Sequence, residues 1–383
     1  MALEPDEELG LYVHLPFCPS RCPYCDFFAK VFNPREAALT WKSLFLHLDI
    51  LSALAGRRTL DTVYLGGGTP SMWPAAKIEE LLQAVQEHLG MAPGAEVTLE
   101  ANPGTLSLKK LEVLVEAGVN RLSLGVQTFD PRLLKALGRR HGPEAVNKAV
   151  SWARQAGLGN LNLDLIYGLP GQTVAALKED VKKALSLEPQ HLSIYELTLS
   201  PSTPFGKQYR KNQPPLPSEE SLSAMEEAFY KLVDEAGYKR YEVSNFATPG
   251  YECRHNQSTW RGGEYLALGP GAHGHLAGRR WSLTRDCLSY WQAVEAEEQP
   301  LEFSEQLSPE QQALEMIMLG LRTAEGVNWA SLTRVLGQSP ARFWEKALAQ
   351  IQQLGWARLT DSYLVPTSKG LAMADAAAAL FVP

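Results

Sequence analysis

The sequence has few cysteines, no excess of basic residues and no long uninterrupted apolar run. Five of its 383 residues are cysteines, and three of these are clustered, which is not the pattern of a disulfide scaffold. Asp and Glu outnumber Lys and Arg by 43 to 36, so the formal net charge of −7 disfavours nucleic-acid binding. The most apolar stretch, LFLHLDILSALAG, is interrupted by His47 and Asp49 and is expected to be too short to cross a bilayer.

The beginning of the chain, MALEPDEELG, is acidic and lacks an apolar core, so we expect neither a signal peptide nor a transit peptide. With the low cysteine content, this predicts a protein of the reducing cytoplasm. The remaining composition is that of a globular protein, with 45% hydrophobic and 21% charged residues. The length predicts two or three domains.

Short apolar runs typical of β-strands alternate with amphipathic helical patterns over the first 240 residues. The predicted strands are 10–15, 61–66, 96–101, 121–126, 160–168 and 191–197. The helical patterns between them include 75–89, 107–117 and 144–156. Six βα units predict a parallel sheet with crossover helices, and six is fewer than the eight of a closed barrel. We therefore expect an α/β fold with an open, partial TIM-like (β/α)6 barrel.

Chemically useful residues follow nearly every predicted strand. In strand order they are the cysteine cluster, GGGTP, Glu100, Gln127, Asp164, and Glu196 with Thr198. Because the carboxyl ends of the strands meet at one end of a parallel barrel, these residues predict a single site.

The pattern changes after residue 240. Residues 241–300 are rich in Gly, His, Trp and Arg without clear periodicity, and we expect a linker there. Residues 301–383 indicate three helices, a hairpin-like ARLTDSYLVPT and a last Ala-rich helix, a C-terminal mainly helical domain that resembles a winged-helix module. Such modules usually bind DNA, but SPARFWEKALAQIQQLG is not especially basic, which favours packing or a protein contact.

The segment FCPSRCPYCDFF places Cys18, Cys22 and Cys25 at C-x3-C-x2-C spacing. This spacing suits an iron–sulfur cluster, whereas zinc sites usually pair C-x2-C with a second such pair, and Cys253 and Cys287 are isolated. Three thiolates on a [4Fe–4S] cluster leave one iron open to a small molecule. The alternatives are three structural cysteines in a turn or a redox C-x2-C pair.

The cysteine spacing after the first strand, GGGTP after the second and the six-strand rhythm together resemble the radical S-adenosylmethionine (SAM) enzymes. The resemblance covers residues 10 to about 240. It implies that the amino and carboxylate groups of SAM bind the open iron. A reduced cluster then releases a 5′-deoxyadenosyl radical from SAM.

Within that superfamily, the sequence resembles the subgroup related to oxygen-independent coproporphyrinogen III dehydrogenase. The resemblance implies that SAM is contacted by Tyr12, Gly67, Gly68, Thr69, Glu100, Gln127, Arg139 and Asp164, with Tyr24 and Thr198 as weaker matches. Other roles are open for several of them: GGG could be a tight turn, Glu100 a surface carboxylate and Arg139 a solvated cation with Arg140 as its rival. Asp164 lies in an apolar run, LNLDLIYG, where an unpaired charge is costly, so it is expected to have a partner.

The subgroup also contains haem chaperones, the HemW family, and three features favour them. Phe27 stands where the dehydrogenase pattern has a further cysteine, and only 17 residues precede Cys18. The third feature is RHNQSTW, which resembles the haem-binding H-N-x-x-Y-W motif with Thr259 in place of the tyrosine. The resemblance makes His255 the candidate axial haem ligand. Without it, His255 would be a hydrogen-bonded histidine supporting a loop, and Cys253, His273 and His275 are further candidates.

These features predict a chaperone that binds haem, a [4Fe–4S] cluster and SAM and delivers haem to acceptor haemoproteins. Those acceptors could be respiratory and membrane-associated, and related chaperones suggest a homodimer. The competing predictions are a radical SAM enzyme acting on a porphyrinogen, and a nucleic-acid reader with an iron–sulfur sensor, which the charge disfavours.

Overall fold

The computed structural model describes residues 8–209 and 216–382, so most of the acidic start lies outside the described residues. The strands are β1 (Leu9–Leu15), β2 (Phe17–Cys18), β3 (Lys30–Val31), β4 (Leu60–Gly67), β5 (Met91–Ala101), β6 (Arg121–Gln127), β7 (Asn160–Tyr167), β8 (His191–Glu196), β9 (Lys239–Arg240), β10 (Asn245–Ala247), β11 (Glu264–Leu268), β12 (His273–Leu276), β13 (Arg279–Leu283), β14 (Leu301–Gln306), β15 (Val327–Asn328), β16 (Ala357–Leu359) and β17 (Tyr363–Pro366).

The helices follow the strands closely over the first part of the chain and dominate the last part. They are α1 (Pro34–Ala55), α2 (Ala75–His88), α3 (Leu108–Glu116), α4 (Pro131–Ala136), α5 (Pro143–Gln155), α6 (Val174–Ser186), α7 (Pro204–Tyr209), α8 (Glu219–Glu235), α9 (Arg254–Trp260), α10 (Cys287–Glu295), α11 (Pro309–Gly320), α12 (Trp329–Leu336), α13 (Pro340–Phe343), α14 (Glu345–Gln353), α15 (Ser368–Ala372) and α16 (Ala374–Ala379).

The main sheet has twelve strands in the order β14-β13-β12-β11-β1-β4-β5-β6-β7-β8-β10-β9. Its middle is parallel, and β1, β4, β5, β6, β7 and β8 are the six strands predicted from the sequence. The expected α/β partial barrel is thereby confirmed. Pro and Gly mark the ends of its helices. Helix α5, for example, begins at Pro143, and Gly157, with φ 91°, follows its C-terminus.

The barrel strands place apolar side chains outward and polar side chains inward. In β1, Leu9, Leu11, Val13 and Leu15 are buried in the main hydrophobic core, which lies between the sheet and its helices. The alternate side chains point into the barrel, and on other strands these inward positions hold Tyr64, Glu100, Arg121, Ser123, Asn162, Asp164, Ser193 and Tyr195. Burial of each outward Leu or Val contributes about 1.5–3 kcal/mol, so the helices stabilise a barrel whose interior is polar.

Helix α1 differs from the sequence prediction in its length. It begins at Pro34, capped by the Asn33 side chain, and its 22 residues make it the one described helix long and apolar enough to cross a membrane, with a window of mean hydropathy 1.2. The expectation that this region is too short was therefore wrong, because the helix starts before the quoted stretch. Trp41, Leu44 and Leu48 belong to the main core, and 44% of the window is buried. A core helix of a globular protein passes the same length and composition test.

Residues 241–300, expected to be a linker, form strands instead, and β14 follows them at the start of the predicted C-terminal domain. Residues 241–306 supply β10–β14 to the main sheet, and β11 pairs in parallel with β1, so the sheet continues beyond the barrel. The aperiodic composition hid these strands because they are short and many of their residues are partly exposed. Helix α9 of the same segment packs against β4 and β11.

The C-terminal domain is mainly helical, as predicted, and contains a three-stranded sheet in the order β15-β17-β16. It has a core of its own, which includes Ile317, Leu332, Ile351 and Phe381. Main-chain hydrogen bonds join it to the segment before β10: the Val243 N–H donates to the Arg322 carbonyl, and the Ala324 N–H donates to the Tyr241 carbonyl, both at 2.9 Å.

We predict that Leu124→Ala, in β6, lowers the free energy of unfolding by about 2–5 kcal/mol, because Leu124 is fully buried in the main core and its truncation leaves a cavity. Chemical denaturation followed by circular dichroism measures the change. The control is Leu54→Ala, on the exposed side of α1, with an expected change within about 0.5 kcal/mol. Equal changes in the two variants would contradict the outward-packing assignment of β6.

Candidate cofactor-binding site

A cavity of 510 Å³ extends from the carboxyl ends of the barrel strands into the barrel. Most residues predicted from the sequence line it: Cys18, Tyr24, Cys25, Gly67, Gly68, Thr69, Glu100, Gln127, Arg139, Asp164, Glu196 and Thr198. Tyr195 lies inside the barrel yet is 40% exposed, because its side chain faces the cavity. The strand-end argument thus located a single cavity, although Tyr12, Cys22 and His255 are outside its lining.

The three clustered cysteines lie on the loop after β1, where β2 and β3 pair briefly. The Cys25 N–H donates to the Cys22 carbonyl at 3.2 Å, which closes a turn between the last two cysteines. The Thr69 hydroxyl donates to Cys18 Sγ at 3.4 Å, and Arg139 Nη1 donates to Cys22 Sγ at 3.9 Å. Burial raises the pKa of Cys18 and of Cys25, so their thiolates need a nearby cation or metal to form at neutral pH.

The loop offers three thiols, the ligand type that iron–sulfur clusters use. Within residues 8–209 and 216–382, no group of three or more His, Cys, Asp or Glu side chains lies close enough to hold one ion. In a [4Fe–4S] cluster each thiolate binds a different iron, so its ligands are more widely spaced than those of one zinc ion. Hydrogen bonds to the sulfurs from Thr69 and Arg139 are of the kind that tunes such clusters.

The glycine run ends β4 directly against the cysteine loop. A Cβ on Gly68 would lie 2.6 Å from the Phe17 carbonyl oxygen, and Gly67 has φ 108°, so side chains are excluded at both positions. The Gly67 N–H donates to a Glu100 carboxylate oxygen at 3.2 Å. The glycine run therefore lets the β4 backbone lie close to both the cysteine loop and a buried carboxylate.

Two buried carboxylates give the cavity an acidic interior. Glu100 accepts from the Tyr64 hydroxyl at 3.0 Å, and burial, with the charge of Asp164, raises the pKa of Glu100 to about 7. Asp164 accepts from the Asn162 side-chain amide at 2.7 Å and from the Ser123 hydroxyl at 3.2 Å, and burial raises its pKa too. Asp164 thus has the partners expected from the sequence, and a cationic ligand would offset the remaining cost of its burial.

Arg139 rather than Arg140 faces the cavity, since the neighbouring Arg140 is exposed to solvent. Its Nη2 donates to the Gly125 carbonyl at 2.6 Å, while its buried Nε has no hydrogen-bond partner among the described residues. Gln127, on the same side of the cavity, has φ 71°, which is strained for a residue other than glycine. Arg139 is therefore not the solvated surface cation of the alternative, and its Nε is a buried donor without a partner among the described residues.

His255 lies at the opposite end of the barrel from the cysteines. Its helix, α9, covers the amino ends of the strands and is held by Glu96, whose carboxylate accepts from the Arg254 N–H at 3.1 Å and the His255 N–H at 3.2 Å. His255 is 7% exposed, and its Nδ1 lies 2.8 Å from the hydroxyl oxygen of Thr62, near the start of β4. Burial lowers the pKa of His255 to about 4, so its imidazole is neutral.

The structure therefore brings His255 near Tyr12, with 6.5 Å between ring centroids, but not into the cavity lining with most of the other predicted residues. Its burial and its bond to Thr62 correspond to the alternative weighed from the sequence, a hydrogen-bonded supporting histidine. Its neighbour Cys253 is fully buried, and burial raises its pKa to about 12, so its thiol stays protonated. Tyr12 also points into the barrel, where its hydroxyl lies 3.0 Å from His14 Nδ1.

Several cavity residues were missed from the sequence. They include Tyr64, Arg121, Ser123, Asn162, Ser193 and Tyr195, together with Asn256 of α9. The signal was available, because inward positions recur every second residue: Tyr64 is two before Gly66, and Asn162 is two before Asp164. Counting back by twos from Gln127 likewise finds Gly125, Ser123 and Arg121, whereas in β8 the lining residues Ser193 and Tyr195 alternate with the core residues Leu192 and Ile194.

We predict that Gly68→Ala destabilises the protein by about 1–3 kcal/mol, because its Cβ would overlap the Phe17 main chain. Thermal unfolding and the iron retained after reconstitution both measure the effect. Gly159→Ala is the matched control, since no atom lies within 4 Å of the added Cβ. A Gly68→Ala variant as stable as the control would show that the cysteine loop does not press on the glycine run.

Comparison with known proteins identifies the family and a structure of the same fold. Residues 12–184 match the Radical SAM superfamily, and residues 307–373 match the HemN C-terminal domain. The solved structure of coproporphyrinogen III oxidase (HemN) from Escherichia coli has the same fold, with a TM-score of 0.87 over 99% of this chain and 91% of that one at 24% identity.

Curated relatives are more similar in sequence. The chain is 40% identical to heme chaperone HemW of Escherichia coli over 77% of this chain and 81% of that protein. The identity to the proteins of the same name from Synechocystis and Bacillus subtilis is 36% and 33%, over 92% and 94% of this chain and 86% and 95% of theirs. The chain therefore belongs to the HemW family of the radical SAM superfamily.

Proposed function

We propose that this protein is a cytoplasmic haem chaperone, which binds haem, a [4Fe–4S] cluster and SAM and delivers haem to acceptor haemoproteins. The observation that carries the proposal is the family relationship, since relatives named heme chaperone HemW align with most of the chain. A second observation supports it: Phe27, in place of a further cysteine, is 70% exposed beside the cysteine loop and lines the cavity.

In this proposal Cys18, Cys22 and Cys25 hold the cluster, and Thr69 and Arg139 stabilise its thiolates through the hydrogen bonds described above. When reduced, the cluster would supply one electron to a bound sulfonium. A four-iron cluster held there would keep one iron without a cysteine ligand, because the loop supplies three cysteines and Cys253 and Cys287 are buried elsewhere.

SAM would occupy the upper part of the cavity. Gly67, Gly68 and Thr69 let it approach the β4 backbone, and Tyr24 bounds the site beside Phe205, with 6.3 Å between ring centroids. Glu100 and Asp164 suit its hydroxyl groups and positive charge. Arg139, whose Nε lacks a partner among the described residues, suits its carboxylate, with Gln127 beside it. Tyr12 lies one layer deeper, and its contact with SAM stays a prediction.

The alternative is a radical SAM enzyme resembling coproporphyrinogen III dehydrogenase. The polar side chains that line the cavity beside the cysteine loop favour it, because a substrate held there would lie close to bound SAM. Anaerobic cleavage of SAM coupled to loss of a porphyrinogen would identify this activity. Membrane-associated acceptors and a homodimer remain parts of the chaperone proposal without a structural feature that identifies them.

SAM affinity is expected to depend on pH through Glu100. Burial favours its protonated form and raises its pKa to about 7, so below pH 7 the neutral carboxyl loses its attraction for the sulfonium. We predict that affinity rises by up to about tenfold between about pH 6 and pH 8, measured by calorimetry on the cluster-reconstituted protein. The Glu100→Gln variant is the control and should show a flatter profile; the same slope in both proteins would exclude Glu100 as the cause.

The function is tested by adding haem anaerobically to the reconstituted protein and then adding an apo-haemoprotein acceptor. The expected results are saturable haem binding, seen in the Soret band, and transfer of haem to the acceptor. This transfer should be faster than transfer from a nonspecific haem carrier such as serum albumin. The Cys25→Ala variant separates the roles of cluster and protein, since it removes one ligand without touching the cavity floor. If the wild-type protein bound no haem but turned over SAM and a porphyrinogen, the chaperone proposal would be wrong and the enzyme proposal would take its place.

A further inference from the structure

We propose that haem docks on an open part of the main sheet outside the barrel, with His273 as the axial ligand to its iron. This surface, which we call the rim surface, consists of His273, Ser282 and Phe303, with Phe28 and Arg285 beside it. The inference rests on the proposed function, because it names where a haem chaperone of this sequence would hold its cargo.

The histidines are the first observation. All eight lie within the described residues, and His273 is the exposed one; the others are buried or half-buried. The ring of His255 bonds Thr62, and that of His275 bonds the Gly263 carbonyl. The half-buried His88 pairs with Asp49. Among the described residues, no hydrogen bond involves the ring of His273. Neither ring nitrogen is therefore engaged by the protein, and either can bind a metal.

Strand register places the partners of His273. In the antiparallel pairing of β12, β13 and β14, His273 lies opposite Ser282, and Ser282 lies opposite Phe303. Residues directly opposite each other point to the same face, so the three side chains form a row across two strand spacings, roughly 10 Å. Phe303 is 51% exposed although it is apolar, and it lies on the edge strand. An imidazole and an exposed aromatic ring in one row provide a metal ligand and an apolar contact for a flat macrocycle.

The other face of the same strands is closed. Trp281 and Leu283 of β13 point to that side and pack with Tyr290 and Val294 of α10 in a small core of their own. The face that bears His273 is continuous with the inner face of the barrel, since Gly10 of β1 pairs with Tyr265 and Tyr265 pairs with His275. The rim surface therefore faces the same side as the cavity, and His273 stays exposed in the part of the chain that the structure describes.

The cysteine loop borders this surface. A Cβ on Gly271 would overlap the Phe28 ring, so the turn before β12 lies directly against Phe28. Phe28 in turn stacks on His14, with 5.7 Å between ring centroids, and its carbonyl lies 2.8 Å from His14 Nε2. Haem on the rim surface would thus lie next to the proposed cluster loop rather than at the far end of the barrel, where His255 is.

Charge at the rim surface suits haem. Burial and the nearby Arg285 lower the pKa of His273, with Glu302 acting in the opposite direction, so the imidazole is neutral and able to bind iron. The exposed guanidinium of Arg285 can pair with a propionate. One axial ligand on an open sheet face leaves the second face of the haem to an acceptor protein, as release requires.

The test is an anaerobic titration of haem into the full-length, cluster-reconstituted protein and its variants, followed by the Soret band. His273→Ala is expected to weaken binding by roughly tenfold or more and to lose the spectrum of an imidazole-bound haem, with added imidazole restoring the spectrum. His275→Ala, on the same face, is the matched control and should bind like wild type. Phe303→Ala should weaken binding, whereas Phe343→Ala, at an exposed aromatic of the C-terminal domain, should not.

A ligand exchange keeps the test decisive. His273→Cys is expected to convert the spectrum to that of a thiolate-bound haem while thermal unfolding stays at the wild-type temperature. Unchanged binding and spectrum in both His273 variants, with loss in His255→Ala, would overturn the rim surface and leave the chaperone function intact. No haem binding by wild type would instead overturn the proposed function and this inference with it.

Discussion

The candidate site depends on one constraint, the alternation of side chains along the six parallel barrel strands. Successive residues of a strand point to opposite faces, so a strand that packs outward on helices can present polar groups inward. In β7, Leu161 and Leu163 lie in the main core, while Asn162 and Asp164 line the cavity. A shift of one residue in register would exchange these sets and bury the carboxylate against helices. The apolar core thus fixes which carboxylates meet a ligand.

Part of the polar interior satisfies its hydrogen bonds along a chain of side chains that ends just before helix α9. Asp164 accepts from Asn162, whose side-chain oxygen lies 2.7 Å from His191 Nδ1. His191 Nε2 lies 2.8 Å from the Tyr241 hydroxyl, which accepts from the N–H of Cys253, just before α9. The cavity carboxylate and the helix at the far end of the barrel are therefore positioned by the same set of bonds.

Much of the fold could be predicted because its signals are local. The strands and their terminal residues follow from period-two and period-3.6 patterns separated by Gly and Pro, and these patterns predict Glu100 and Asp164, whereas Arg139 follows from the family resemblance. The predictions that failed concern contacts between residues that are distant in the sequence. Nothing in GGEYLALG announces parallel pairing with β1, so residues 241–300 were taken for a linker. The burial of His255 depends likewise on Glu96 and Thr62, which are distant in sequence, so its motif indicated the residue without its surroundings.

The junction between the barrel and the C-terminal domain has a further consequence. Tyr241 gives its carbonyl to Ala324 of that domain and its hydroxyl to the barrel interior, so one residue belongs to both halves. A recombination point between them would have to recreate main-chain pairing as well as a buried phenol. Exchange of the C-terminal domain between relatives is consequently expected to disrupt this junction. In the evolution of this family, we expect the two halves to be inherited together.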